Sequence, residues 1–178
     1  MLDNLPEAIW VFDCSSILEI RRLPGVSHHI ADNIYSKLGL LVEAGQIFFP
    51  KEVVDELERF SNPRPAQPDL PLAWAKKYQV RACRHPSLFD DLPVVLQVAG
   101  AVLDPDKTGV EEADPYVLAL ARVLERQSSS PVWVVTEERR DRSSKISLTT
   151  ACGLLRLHCL PVRQVLRLNN IFPELLGP

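Results

Sequence analysis

The chain has 178 residues, 46% of them hydrophobic and 24% charged, with a formal net charge of −3. That composition excludes disorder as the main state, and the length suits one domain with a sizeable core, taken here as residues 1–178. The slight acidity gives the whole molecule no general attraction for phosphate, so contact with nucleic acid would need a local basic patch.

In chain order, the apolar run 9–12 (Ile-Trp-Val-Phe) is too short for a helix and rich in strand formers, and Asp13 stands at its end. Ser27 precedes a helical pattern in which Ile30, Ile34, Leu38 and Leu41 recur, and Gly45 closes it. Residues 46–49 read as a second short strand, which Pro50 stops before a helix over 51–60. The prolines at 63, 65, 68 and 71 imply a surface connection over 61–71. Helical patterns follow over 72–79 and 92–103, then a polar turn over 104–109. A helix runs from Pro115 to about Gln127, and its segment 116–124 is apolar on almost every face, so it should lie deep against a sheet. Residues 132–135 supply a buried strand, and the remainder reads as a helix over 149–155, a strand over 158–160 and a helix over 162–170.

Short buried strands alternating with helices imply an α/β fold, a three-layer sandwich whose central parallel sheet is covered by helices on both faces. Functional groups in such folds gather at the carboxyl ends of strands. The four cysteines (Cys14, Cys83, Cys152, Cys159) make no C-x-x-C pair, and His158 beside Cys159 is too sparse for a zinc site, so all read as buried thiols. Charges interrupt every apolar stretch before membrane-spanning length and no secretory leader pattern is present, which makes a cytoplasmic location without membrane contact the expectation.

Asp13 is a candidate site acid because it follows a buried strand, although an aspartate there could equally cap a helix or close a turn. On the 51–60 helix, Val53, Leu57 and Phe60 form one apolar arc with Glu56 on its margin, and Glu52 beside it competes. Asp114 before Pro115 is a normal helix start, Asp at the N-cap and Pro at the first helical position, which explains the dipeptide without chemistry. The apolar helix behind it would nevertheless fix its carboxylate at the sheet edge. Glu137 and Glu138 follow the strand 132–135, and two adjacent acids on extended chain point apart, so one of them serves. Two basic patches are candidates for phosphate: Arg139, Arg140, Arg142 and Lys145, and the looser set Arg59, Arg64, Lys76, Lys77, Arg81 and Arg84. Either could also be a solvated surface.

Read together, Val11-Phe12-Asp13-Cys14-Ser15-Ser16, Pro50-Lys51-Glu52-Val53-Val54-Asp55-Glu56-Leu57, Ala113-Asp114-Pro115 and Val134-Val135-Thr136-Glu137-Glu138 resemble the PIN-domain nucleases, especially a PIN-like subfamily with a Thr-Glu-Glu turn. Trp74-Ala75-Lys76-Lys77-Tyr78 also looks like its counterpart there, and the likeness runs in order over nearly the whole chain. The resemblance implies that Asp13, Glu56 and Asp114 are metal-site acids, with Glu138 the preferred fourth and Glu137 the alternate. Ser15 would be a polar helper orienting Asp13 or a metal-bound water. After Lys145-Ile146, where such proteins often have Pro-Asp, this chain has Ser147-Leu148. The implied activity is an endoribonuclease dependent on Mg²⁺ or Mn²⁺, leaving 5′-phosphate and 3′-hydroxyl ends. The implied biology is that of a toxin restrained by a small antitoxin protein, with homodimers common. Competing readings are a nuclease for structured DNA, a catalytically weak PIN module acting as a scaffold, and a phosphoacceptor domain, the last lacking a clear lysine after its final strand.

Overall fold

Trp10, Val11 and Phe12 are buried on both sides of the chain, which places the strand that carries them inside a sheet covered on its two faces. The computed structural model describes residues 7–61, 69–83, 88–107, 109 and 111–172. Four strands, β1 (Ile9–Phe12), β2 (Ile47–Phe48), β3 (Val132–Val135) and β4 (His158–Leu160), form one all-parallel sheet in the order β2-β1-β3-β4. Among the described residues the helices are α1 (Cys14–Glu19), α2 (His28–Glu43), α3 (Lys51–Phe60), α4 (Leu70–Ala82), α5 (Leu88–Ala99), α6 (Asp114–Gln127), α7 (Leu148–Leu155) and α8 (Val162–Leu168). The architecture is the expected α/β three-layer sandwich.

Local chemistry sets most of the boundaries. Ser27 caps α2 by accepting from the Ile30 amide at 3.3 Å, and Gly45 ends the segment at φ +73°, where a side chain would be strained. Ser147 caps α7 by accepting from the Thr150 amide at 3.2 Å. Asn170 turns left-handed at φ 53°, so α8 stops at Leu168, short of the expected 170.

Three elements differ from expectation. Helix α1 and the 3-10 turn Ile20–Arg22 were not expected, since six residues are too few to reveal a helical period. Helix α4 already begins at Leu70, with Pro71 in its first turn, where its missing N–H does no harm. Helix α5 starts at Leu88, ahead of Pro93, instead of at 92. Tertiary contact explains the last: buried Asp91 accepts from Arg122 Nε at 3.0 Å and Arg126 Nη1 at 2.5 Å, tying the turn before the proline to α6. The connection expected over 61–71 falls largely on residues 62–68, outside the described residues.

Helix α6 lies deep, with Val117, Leu118, Ala119, Leu120, Ala121 and Val123 all buried, and it meets both β1 and β3. On the other side of β1, Trp74 of α4 sits 5.6 Å from Phe49, 5.9 Å from Tyr35 and Tyr78, and 6.4 Å from Phe12 between ring centroids. These tilted rings anchor α4 to α2 and the sheet. Among the described residues no helix is long and apolar enough to cross a membrane.

Candidate functional site

Strand register builds the centre. Phe12 pairs with Val135, so Asp13 and Thr136 leave the sheet side by side at its carboxyl edge. The Asp13 amide donates to the Val135 carbonyl at 3.1 Å, and the Thr136 amide to the Leu160 carbonyl at 3.0 Å. Asp13 is 2% exposed. Its Oδ1 caps α1, accepting from the Ser16 amide at 2.7 Å, while Oδ2 accepts from Ser15 Oγ and Thr136 Oγ1, each at 2.7 Å. The capping reading is thus correct, but it uses only one oxygen. Burial outweighs these three bonds and pushes the carboxyl up to about 6.

Ser15 and Thr136 each do two things. Ser15 Oγ accepts from the Glu137 amide at 3.0 Å, and Thr136 Oγ1 accepts from the Glu138 amide at 3.0 Å. The turn after β3 is therefore locked to Asp13 by two hydroxyls. Ser15 was expected to orient Asp13. Thr136 was missed as a site residue, although its place opposite Asp13 follows once the register is known.

Glu137 and Glu138 point apart, as adjacent residues on extended chain must. Glu137 Oε1 accepts from the Val162 amide at 2.8 Å and so serves the start of α8. Glu138 turns to the other acids, its Oε2 lying 3.6 Å from Lys145 Nζ. Of the two, Glu138 belongs to the cluster. On α3, burial and then the Asp114 charge raise Glu56 above its usual range. Glu52 is raised by burial and by Glu111 and Asp55. Glu56 thus lies near enough to Asp114 to feel its charge, whereas the acids that act most on Glu52 are Glu111 and Asp55. The Cys14 thiol, pushed up by burial, feels Glu56, Asp13 and Asp114 together.

Asp114 does not cap α6. It is the first helical residue, Ala113 occupies the N-cap position without a side-chain bond, and Pro115 is second. Its carboxylate is free to accept from Lys145 Nζ at 2.6 Å. Burial, opposed by Lys145 and reinforced by Glu138 and Asp13, pushes Asp114 up to about 7. Lys145, expected to extend the basic patch, instead turns inward and is 6% exposed. Burial works against its ammonium, but Asp114, Glu138 and Glu112 together hold it above the usual lysine range. Glu112, also missed, is a buried brace: Oε1 accepts from the Asp104 amide at 2.6 Å and Oε2 from Lys107 at 3.2 Å.

Leu148 stands where the resembled pattern has an acid, and it is fully buried in the core. It supplies no ligand. Arg139, Arg140 and Arg142 remain exposed, and with Glu137, Glu138, Lys145 and Ser147 they line a cavity of about 430 Å³, to which Asp13, Glu56 and Asp114 contribute no lining. The looser basic set has other partners: Arg59, whose charge also reaches Glu56, donates to the Glu111 carbonyl at 2.8 Å, Arg81 to the Glu43 carbonyl at 2.8 Å, Lys76 pairs with Glu58, and Lys77 lies over Tyr78. Arg64 and Arg84 fall outside the described residues. Cys83 and Cys159 are half-buried, not buried as expected, and all four thiols are free.

Among the described residues no three His, Cys, Asp or Glu side chains enclose a metal as they stand. The donor chemistry still fits a hard divalent cation, since Asp13, Glu56, Asp114 and Glu138 offer oxygen alone and two of them are buried at a desolvation penalty. In this arrangement the Lys145 ammonium pairs with Asp114 and lies beside Glu138, while Glu56 feels Lys107 and Arg59 ahead of Lys145.

No curated protein and no solved structure matches the chain. One family model, described as a domain of unknown function (DUF4411), matches residues 10–171, from the first strand to the segment after α8. The chain belongs to the DUF4411 family.

Proposed function

We propose that this protein is a divalent-metal-dependent endoribonuclease. The observation that supports the reading is the meeting of Asp114 and Glu138 on Lys145, with Asp13 tied to the same turn through Thr136, beside a cavity lined by Glu138, Arg139, Arg140 and Arg142; Glu56 joins them through the Asp114 charge it feels. Acids repel one another and a phosphodiester, so clustering them is favourable only with a cation to share. The PIN-domain resemblance of the motifs that carry these acids points the same way.

Mg²⁺ or Mn²⁺ held there would supply the positive charge and water activation that phosphodiester hydrolysis requires. Asp13, Glu56, Asp114 and Glu138 are the residues to hold it. Ser15 and Thr136 fix Asp13 in one orientation, and the Thr136 hydroxyl also fixes the backbone of Glu138. The exposed arginines hold the RNA backbone beside the acids, a positioning task that carries no chemistry of its own. A toxin role with a small inhibitory partner and homodimer formation belong to this reading through the resemblance alone, and a cytoplasmic setting through the sequence pattern.

Single-turnover cleavage of matched RNA and DNA strands, with and without Mn²⁺, tests it. RNA cleavage that needs Mn²⁺ and is lost in Asp114→Asn is expected; cleavage of structured DNA alone would move the substrate class. A second reading, a binding module with weak or no catalysis, is favoured by the ammonium of Lys145 on Asp114 and by Leu148 in the core. It gains if neither strand is cut while RNA still binds.

A further inference from the structure

Lys145 is the only basic residue of its segment that turns away from solvent. Arg139, Arg140 and Arg142 are exposed, and so are residues 143 and 144. The inward turn is built by the loop. The Arg142 amide donates to the Lys145 carbonyl at 2.8 Å, and the Ile146 amide donates to the Ala101 carbonyl at 2.8 Å. Asp141 Oδ1 accepts from the Ser147 amide at 2.8 Å and from Thr150 Oγ1 at 2.7 Å. The loop is held on both sides of Lys145, so its stem enters the protein with little freedom.

An ammonium gives up much solvation when buried and is retained only with partners. Here it has three: Asp114 at 2.6 Å, Glu138 at 3.6 Å and Glu112 at 3.8 Å. Glu112 is also served by Lys107 and by a backbone amide, so its contact with Lys145 is the one most easily given up. Asp114 and Glu138 are the acids of the proposed centre. We propose that Lys145 is the resident counter-cation of this centre, bridging Asp114 and Glu138 in the place a divalent ion would take, so that ion binding and the Lys145 contacts exclude one another. The first half stands on the distances and burial of Lys145; the second rests on the nuclease reading. Lys145 is then a positioning residue that keeps the acids gathered while no ion is bound.

The test has two arms on the full chain. In the first, EDTA-treated wild type, Lys145→Met, Asp114→Asn and the double variant are unfolded in urea. Methionine keeps the stem's bulk without the charge. A counter-cation predicts strong non-additivity, with the double variant at least as stable as Lys145→Met, because removing the orphaned charge relieves it. Additive losses would overturn the counter-cation role and leave Lys145 a packing stem. In the second arm, Mn²⁺ alone is titrated into wild type and Lys145→Met. Exclusion predicts binding about tenfold tighter in the variant, with its lost melting temperature recovered by Mn²⁺. Equal or weaker binding in the variant overturns exclusion. If neither protein binds Mn²⁺, exclusion and the nuclease reading both fall, while the urea cycle still decides the counter-cation role.

Discussion

Asp13 shows how one side chain records its surroundings. Its carboxyl is moved from 3.8 to about 6 because burial outweighs three hydrogen bonds. Between these values the folded protein holds a proton that the unfolded chain has released, so stability falls as pH rises through that window and levels off above it. A shift of this size corresponds to roughly 3 kcal/mol. Urea denaturation of wild type and Asp13→Asn between about pH 4 and pH 7 checks it. The variant should lose that part of the slope, and an identical slope in both proteins would mean Asp13 is ionised throughout. Strand ends and helical angles offered the acids as candidates with equally ordinary alternatives, and only the PIN-domain resemblance drew Asp13, Glu56, Asp114 and Glu138 together. The roles of Thr136 and Lys145 were not legible in the sequence: a threonine's partner depends on strand register, and nothing in a run of basic residues says which one the loop will turn inward.

Elements were legible where local chemistry acts alone. The β1 and β3 strands, the Ser27 cap and the 51–60 helix all follow from residue type and spacing. Helix α5 was not, because Asp91 reaches across to α6 and holds helical a turn that Pro93 alone would end. The contact between α2 and α4 gives a test at this scale. A Cβ on Gly39 would lie 2.2 Å from the Tyr78 hydroxyl, whose ring is fixed against Trp74. Alanine in a helix should gain about 1 kcal/mol over glycine. Overpacking here should cost about 1–3 kcal/mol and dominate. Gly39→Ala is therefore expected to unfold at lower urea than wild type, with partial recovery when Tyr78→Leu is added; a stabilised Gly39→Ala would show that the two helices separate easily.

At the scale of the molecule, a net charge of −3 coexists with a local arginine wall on one cavity. Binding to RNA should then depend on few phosphate contacts and respond sharply to their loss. Replacing Arg139, Arg140 and Arg142 together by alanine should weaken RNA binding and make the slope of log affinity against log salt shallower by about 2, if each meets one phosphate of a single strand. Cleavage at saturating RNA should survive, since these side chains position the strand only. Affinity measured at several salt concentrations decides it, and an unchanged slope would place the RNA path elsewhere.

The strand order has a consequence during synthesis. β3 lies between β1 and β4, yet it leaves the ribosome long after β1 and β2, which can already pair with each other. Until residues 132–135 emerge, the inner edge of β1 presents unpaired amides and carbonyls, the kind of edge that invites wrong partners. The same delay keeps Asp13 without Thr136 and Asp114 without Lys145. A growing chain thus carries three of its four candidate acids before the fourth has emerged, so the proposed nuclease centre cannot assemble until β3 and the turn after it have been made.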